Sequence, residues 1–347
     1  MGIYIIKDQV PECDVEKLVD FLRVAWKPDH ALIKSRDLLN FQHLDKDKRA
    51  YNFIVAENQQ TGEYDALVGY IPVAHYDPAL REYGDYWGGI WKRKDDVFND
   101  EINTIGAEVY QHFFTLPYFK SQCGISLSDI AVKACRAMRY KFGYLHQYYI
   151  LNKYSSSFCI ANNVSSNHFI NPSQGKSQNW SIKWIDFITV MNSGVSPKYR
   201  PYKSLKFIEN RYYRHPIYHY DYLGLYYNAC LKAILVTRTI EENYSKVLRI
   251  VDAYGDLGGY IYPSMQRILQ ESGYEYVDFL NYGIDKNVFT EMGFNELDFE
   301  NDSLVLPNYF EPFERRNVKM TVVHKDKYEN YVAFKGDADQ DRPNIII

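Results

Sequence analysis

Cysteine is scarce in this chain, and what there is forms no pattern. Five cysteines stand among 347 residues, an odd number without a Cys-x-x-Cys pair. That usage excludes a disulfide framework and a structural zinc site, and it suits a reducing compartment. Long apolar runs are missing too: none approaches the roughly 20 residues that span a bilayer. The opening residues Met1-Gly2-Ile3-Tyr4-Ile5-Ile6 lack the charged stretch of a secretory leader. We therefore expect a cytoplasmic protein with no membrane partner and no metal. Positive charge is also in short supply, with 40 Lys and Arg against 44 Asp and Glu. A nucleic-acid footprint normally shows a basic surplus, so no nucleic-acid partner is expected.

Tyrosine is the abundant residue, at 33. Tyrosine-lined clefts stack on sugars and bases and donate hydroxyl hydrogen bonds. An AT-rich genome would enrich Tyr, Asn, Lys and Ile without any such use. The length allows two domains of ordinary size.

Residues 3–6 read as a short strand. Asp14 caps a helix on which Leu18, Leu22, Ala25 and Trp26 share a face, and a second helix covers Ser35 to His43. A hairpin follows, Tyr51 to Ala56 and Tyr64 to Val73, with its turn near Gly62. The next strand, Tyr86 to Trp91, ends in Lys92-Arg93-Lys94. Beyond a polar connection, Asn103-Thr104-Ile105-Gly106-Ala107 reads as a loop leading into a helix that Pro117 stops. Strand, loop, helix opening on a small residue: this order presents free N–H groups and a positive helix end to an anion. After Gln122-Cys123-Gly124-Ile125-Ser126 come a helix ending near Tyr140 and a strand from Tyr144 to Leu151.

The order then returns. A Ser- and Asn-rich stretch over 153–183 marks a boundary, dividing the chain into 1–160 and 161–347. Lys203 to Tyr212 reads as a helix, and Tyr222 to Tyr227 with Leu231 to Val236 as a hairpin. The strand Val247 to Asp252 precedes a Gly-rich loop at 255–259 and a helix after Pro263. Glu275 to Leu280 is a strand, Gly283-Ile284 matches Gly124-Ile125, and a short helix ends at Phe294. Two copies of one topology account for the chain. The expected fold class is α/β, a mixed sheet flanked by helices in each half.

This layout resembles the Gcn5-related N-acyltransferase (GNAT) superfamily. The whole chain is similar to the tandem-GNAT sugar N-acyltransferases of bacterial O-antigen and capsule pathways. Beyond topology, the likeness rests on RYYRHPIYHY (Arg211–Tyr220), LPNYFEPF (Leu306–Phe313) and GDADQDRPN (Gly336–Asn344). The resemblance implies two tandem GNAT-like domains and an acyl-CoA donor, acetyl or 3-hydroxybutyryl. It implies as acceptor the amine of a nucleotide-linked amino sugar, a dTDP-linked 3-amino-3,6-dideoxyhexose. In that family the CoA pyrophosphate sits on a Gln/Arg-x-x-Gly-x-Gly/Ala loop. Here Asn103 replaces the Gln/Arg, and Glu108 the last small residue. The implied coenzyme A contacts are Ile90, Trp91, Lys92, Arg93, Asn103, Thr104, Gly106 and Ala107. Asp256 in the corresponding second-half loop would repel a pyrophosphate, which favours the first half. The tyrosine that protonates the leaving thiolate in the family falls at Cys135 in one half and Phe289 in the other, so it is absent from both.

Aminolysis of a thioester asks for a neutral amine, attack geometry and donors for the oxyanion. If a base takes part, His215 and Asp252 are the candidates. Each has a structural alternative: a histidine bonded to backbone, and a carboxylate paired with Arg249. The guanidinium forks of Arg211 and Arg214 could hold a diphosphate. Tyr212, Tyr218, Tyr220, Asn281 and the C-terminal Asp341, Arg342 and Asn344 complete the candidate substrate contacts. A homodimer is left open. Two other readings stand beside this one: a non-catalytic carbohydrate-binding protein on a GNAT scaffold, and a Fem-type transferase using aminoacyl-tRNA. The second would want a helical arm and a basic surface.

Overall fold

The computed structural model describes residues 2–169, 179–301, 303–309 and 314–338. The first half runs β1 (Tyr4–Lys7), α1 (Val15–Phe21), α2 (Arg36–His43), β2 (Phe53–Asn58), β3 (Tyr64–Pro72), β4 (Asp85–Arg93) and α3 (Ile102–Gln111). It continues with β5 (Ser121–Ile125), α4 (Asp129–Ala137) and β6 (Lys141–Tyr144). The helix starts follow from capping chemistry. The Ser35 and Ser128 hydroxyls accept the Leu38 and Ala131 N–H groups, satisfying donors that the first turns of α2 and α4 leave free. Asp14 stands at the N-cap of α1 but makes no such bond. Leu18 and Leu22 are buried below it, whereas Trp26 is 43% exposed, so the apolar face ends sooner than its spacing suggests.

The remainder runs β7 (His146–Leu151), β8 (Trp180–Ile185), α5 (Leu205–Ile208, continuing as a looser turn to Tyr213), β9 (Asp221–Tyr227), β10 (Cys230–Glu242) and β11 (Ser245–Gly255). Then come α6 (Tyr262–Ser272), β12 (Tyr276–Tyr282), α7 (Lys286–Met292), β13 (Asn295–Glu296), β14 (Thr321–Asp326) and β15 (Ala333–Phe334). β10 outruns the hairpin expected from sequence because Thr237 to Glu242 goes on pairing with β11. No described helix is long and apolar enough to cross a membrane.

Two mixed sheets result. The first has the order β1-β2-β3-β4-β5-β14-β6, and the second β8-β9-β10-β11-β12-β7-β13 with β15 added on β12. The orders correspond position for position, and in each the fourth and fifth strands run parallel. The sixth place in each sheet is filled from the other half of the chain. β14 lies between β5 and β6, and β7 pairs with β12.

The expected strand Tyr144–Leu151 is therefore corrected. Only Lys141–Tyr144 stays with the first sheet, while His146–Leu151 crosses to the second. A cut at residue 160 would part β7 and β14 from the sheets they complete. Within the Ser/Asn-rich stretch, Trp180–Ile185 is an edge strand on β9, and Ile160 and Ala161 are buried. One apolar cluster joins Ile71, Trp87 and Cys123 of the first sheet to Phe207, Val251 and Leu280 of the second half. Exchanged strands and a shared core hold the two bodies together.

Candidate active site

Each sheet contains a fork. β4 and β5 pair from Asp85↔Ser121 to Gly88↔Gly124. Past Gly88 no backbone pairing joins them among the described residues, although β4 continues to Arg93 against β3. The register moves from Val68↔Trp91 to Tyr70↔Gly88, so β4 carries one extra residue, a bulge that turns it away. The second sheet repeats this. β11 pairs with β12 over Leu248–Ile250 and runs on to Gly255, with a register shift opposite Val236 and Thr237. By this register Gly124 corresponds to Phe279, which corrects the match with Gly283. Parting strands expose backbone N–H and C=O groups that need partners.

The second fork has its partners already. β15 pairs with Asn281 and Tyr282 of β12, Lys335 N–H donates to the Leu280 carbonyl, and Gly336 N–H donates to the Val251 carbonyl at 2.8 Å. Residues 333–336 thus bridge β12 and β11. Asp252 lies fully buried behind them. Its carboxylate accepts two hydrogen bonds from Lys203 Nζ, at 2.8 and 2.7 Å, and one from the Tyr212 hydroxyl at 2.6 Å. Lys203 Nζ also lies 2.8 Å from Asp337 Oδ1. Burial alone would lower the Lys203 ammonium, but Asp252 and Asp337 outweigh it and hold it above its ordinary value. The expected pair with Arg249 does not form; Arg249 bonds Asp278 at 2.8 Å instead.

Among the described residues, none plugs the first fork in this way. Gly88 and Gly124 sit at its closed end. Trp91 stacks on Tyr110 of α3 with ring centroids 4.1 Å apart, and its indole N–H donates to the Gly106 carbonyl. The buried Gln122 carbonyl oxygen accepts the hydroxyl of Tyr140, while Gln122 Nε2 lacks a hydrogen-bond partner. Cys135, at the position of the missing tyrosine, is buried, with the Tyr110 hydroxyl beside its thiol. Phe289 stacks on Tyr148 at 3.9 Å. Phe289 has no proton to give a thiolate, and burial pushes the Cys135 thiol up to about 11.

The loop expected at Asn103–Ala107 is corrected: these residues lie inside α3, which begins at Ile102. The reason is local capping. Asn99 Oδ1 accepts the Glu101 and Ile102 N–H groups, and the Thr104 and Ile105 N–H groups bond the Glu101 carbonyl. The Glu101 carboxylate is itself held by Ile3 N–H at 2.9 Å. Much of the helix end is spent within the protein, and Lys92 is paired with Asp95 at 2.5 Å. Arg93 is the cation nearest Gly106, where an added Cβ would meet only its Cδ, at 3.8 Å.

At the other end of β4 opens a cleft of about 700 Å³. Phe41, Tyr70, Tyr76 and Tyr86 contribute rings, Asn40, Asn52 and Asn210 contribute amides, and Lys46, Arg81, Asp8 and Asp85 contribute both signs of charge. Asp85 was not anticipated. An aspartate opening an apolar strand was the available signal. Its Oδ1 accepts from Ser121 at 2.5 Å and from Tyr328 at 2.7 Å, while Oδ2 is buried without a partner. Burial pushes its carboxyl up to about 6, against those two bonds and the charges of Lys120 and Arg200. From Asp85 to the fork at Gly88 is about 10 Å along the strand.

The other expected residues scatter. His215 Nδ1 accepts the Ile217 and Tyr218 N–H groups, and burial followed by the charges of Arg211 and Arg238 pushes its pKa down to about 2. With Nδ1 spent in the turn and so little affinity for a proton, it is a turn-forming residue, which corrects its reading as a base. Asp252, tied to Lys203, is corrected likewise. Arg211 is buried and donates to the Gly336 carbonyl at 3.2 Å, so it is no diphosphate clamp. Arg214 is exposed, bonds Glu209 at 2.5 Å and lines the cleft. Tyr212 and Tyr220 are core residues, Tyr218 lies under the Arg238 guanidinium, and Asn281 is buried in β12. Asp341, Arg342 and Asn344 lie outside the described residues.

No family model matches the sequence, and no curated protein does so either. Solved structures do match. A conserved protein from Enterococcus faecalis, described as a probable N-acyltransferase, aligns with a TM-score of 0.52 at 8% identity, over 92% of this chain and 72% of its own. A GCN5-related N-acetyltransferase from Anabaena variabilis aligns with a TM-score of 0.52 at 9% identity, over the same 92% and 72%. At such identities the likeness is one of fold. The chain is built as two tandem GNAT-like bodies, α/β with mixed sheets, each opened by a fork between its fourth and fifth strands.

Proposed function

We propose that this chain is an acyl-CoA-dependent N-acyltransferase that takes its thioester in the first fork and its acceptor amine in the cleft. One observation carries the reading: a single strand, β4, has at its middle a fork that none of the described residues plugs, and an open cleft at its start. Two substrates entering from opposite ends of one strand would meet near Gly88, which is the proximity that aminolysis needs. The amine nitrogen attacks the thioester carbon, and the C=O electron pair moves onto oxygen. Collapse re-forms C=O and breaks C–S, with the electron pair leaving on sulfur. Nitrogen gives a proton to water, and the thiolate takes one. Backbone N–H groups of β4 beyond Gly88, where its pairing with β5 has ended, are the donors at hand.

The acceptor we favour is a nucleotide-linked amino sugar of the dTDP-3-amino-3,6-dideoxyhexose kind, and the acyl group is acetyl or 3-hydroxybutyryl. The cleft supports this by mixing aromatic faces with amides and charges of both signs, which suits a polar ring bearing an amine and a phosphate. The test is release of free thiol from each acyl-CoA with and without that sugar. Amine-dependent release is expected. Sugar binding with no thiol release would point to the non-catalytic carbohydrate-binding alternative. For the donor, Gly106→Asp has room to fold and would set a carboxylate against Arg93. We expect at least a tenfold loss of CoA affinity, about 1.4 kcal/mol. Unchanged affinity by calorimetry would move the pyrophosphate elsewhere.

A further inference from the structure

Gln122 is fully buried on β5, opposite Tyr86 of β4. The hydroxyl of Tyr140, itself only 6% exposed, donates to Oε1, which leaves Nε2 directed away from that ring. Nε2 has no hydrogen-bond partner. Burying an unpaired amide donor costs about 1–3 kcal/mol, and a leucine or methionine would fill the same space without that penalty. Beside Nε2, Gly88 leaves room for a methyl-sized group. A Cβ built on Gly88 would stand 3.7 Å from Nε2, 3.7 Å from the Cys123 carbonyl oxygen and 3.9 Å from Phe113 Cζ. Gly88 is the last residue of β4 paired to β5, so the orphan donor sits at the closed end of the fork.

The second body supplies a control. Gln122 lies two residues before the last paired residue of β5, and the matching position on β12 is Val277. There the fork is plugged by residues 333–336 and no side-chain donor is present at that place. Among the described residues, the donor stands in the fork that is not plugged.

We infer that Gln122 donates Nε2–H to the acyl carbonyl oxygen of the thioester at the first fork, with Tyr140 as the positioning residue that fixes the amide. The inference rests on the acyl-transfer reading above. When the amine adds to the carbonyl carbon, the electron pair moves onto this oxygen. A preorganised donor holds that charge until the C–S bond breaks and the pair leaves with sulfur.

The experiment compares wild type, Gln122→Met and Tyr140→Phe, using acetyl-CoA and the amino sugar. Gln122→Met keeps the volume and removes the donor, so kcat should fall about 100-fold, the usual effect of one lost oxyanion donor. KM for acetyl-CoA should change little, and the melting temperature should hold or rise because an orphan donor is gone. Tyr140→Phe frees the amide to rotate, and its loss should fall on kcat but be smaller. If Gln122→Met failed to fold, Tyr140→Phe would carry the test through the same kcat-against-KM split. A Gln122→Met enzyme that binds acetyl-CoA and turns over within threefold of wild type overturns the assignment and leaves the acyl-transfer reading standing. Wild-type protein that neither binds acetyl-CoA nor releases thiol overturns both.

Discussion

The Gly336 N–H donates to the Val251 carbonyl at 2.8 Å, and this bond shuts the second fork with the chain's own C-terminal segment. The approach is close. A Cβ on Gly336 would meet the Tyr212 hydroxyl at 2.5 Å and the Val251 carbonyl oxygen at 3.0 Å. Gly336→Ala must therefore push the segment outward, and overpacking of this kind costs about 1–3 kcal/mol. We expect that loss in urea denaturation, with acetyl-CoA affinity unchanged because the open fork lies in the other sheet. Wild-type stability would mean that the segment does not sit there in solution.

The second prediction concerns Lys203, which touches Asp252 and Asp337 from within a ring of Trp87, Phe207 and Phe334. Lys203→Met would pack among the rings but leave two buried carboxylates without their cation. Breaking a buried pair from one side costs about 3–5 kcal/mol. Burial already raises Asp337, so without the lysine the folded protein should hold a proton there. A group held protonated in the fold adds stability at low pH and loses it as pH rises. The deficit of Lys203→Met should thus shrink between pH 7 and pH 4.5. A deficit that does not vary with pH would place the cost in packing.

Much of this arrangement could be read from the chain, and the parts that could not share a cause. The hairpin, the Ser35 cap and the strand–helix–strand order around Gly124 follow from local pattern. Strand exchange does not, because the apolar run at 146–151 identifies a strand without naming its neighbour. The Lys203–Asp252 pair spans 49 residues and leaves no periodic trace. α3 begins before the loop that Gly106 suggests, because Asn99 caps the helix at Ile102. Gln122 and Asp85 act through single unpartnered atoms, which only packing reveals.

His215 offers a third prediction. With Nδ1 accepting two backbone N–H groups and its pKa near 2, it stays neutral at any working pH. An asparagine Oδ1 can accept in place of Nδ1, so His215→Asn should keep the turn, whereas His215→Ala should lose about 1 kcal/mol. Neither change should move the pH profile of kcat/KM. Loss of a limb near neutrality in His215→Asn would restore the histidine to the chemistry.

Asp85 gives the last prediction, and its sign can be worked out. Its carboxyl titrates near 6 in the fold against an ordinary value of 3.8. Between those values the folded state binds a proton that the unfolded chain has released. Stability from this group is therefore present below about pH 4, falls as pH rises, and is fully lost by about pH 6. The size is on the order of 3 kcal/mol, at 1.36 kcal/mol for each unit of pKa. Ser121, Tyr328, Lys120 and Arg200 act on the carboxyl and keep it from rising further. In Asp85→Asn the amide oxygen can still accept from Ser121 and Tyr328, but nothing titrates. Urea midpoints at pH 4, 5, 6, 7 and 8 should therefore show wild type losing ground to the variant between pH 4 and pH 6, then running parallel to it. Curves that stay parallel throughout would mean that Asp85 is ionised in the folded protein across that range, with its Oδ2 in contact with water or a cation.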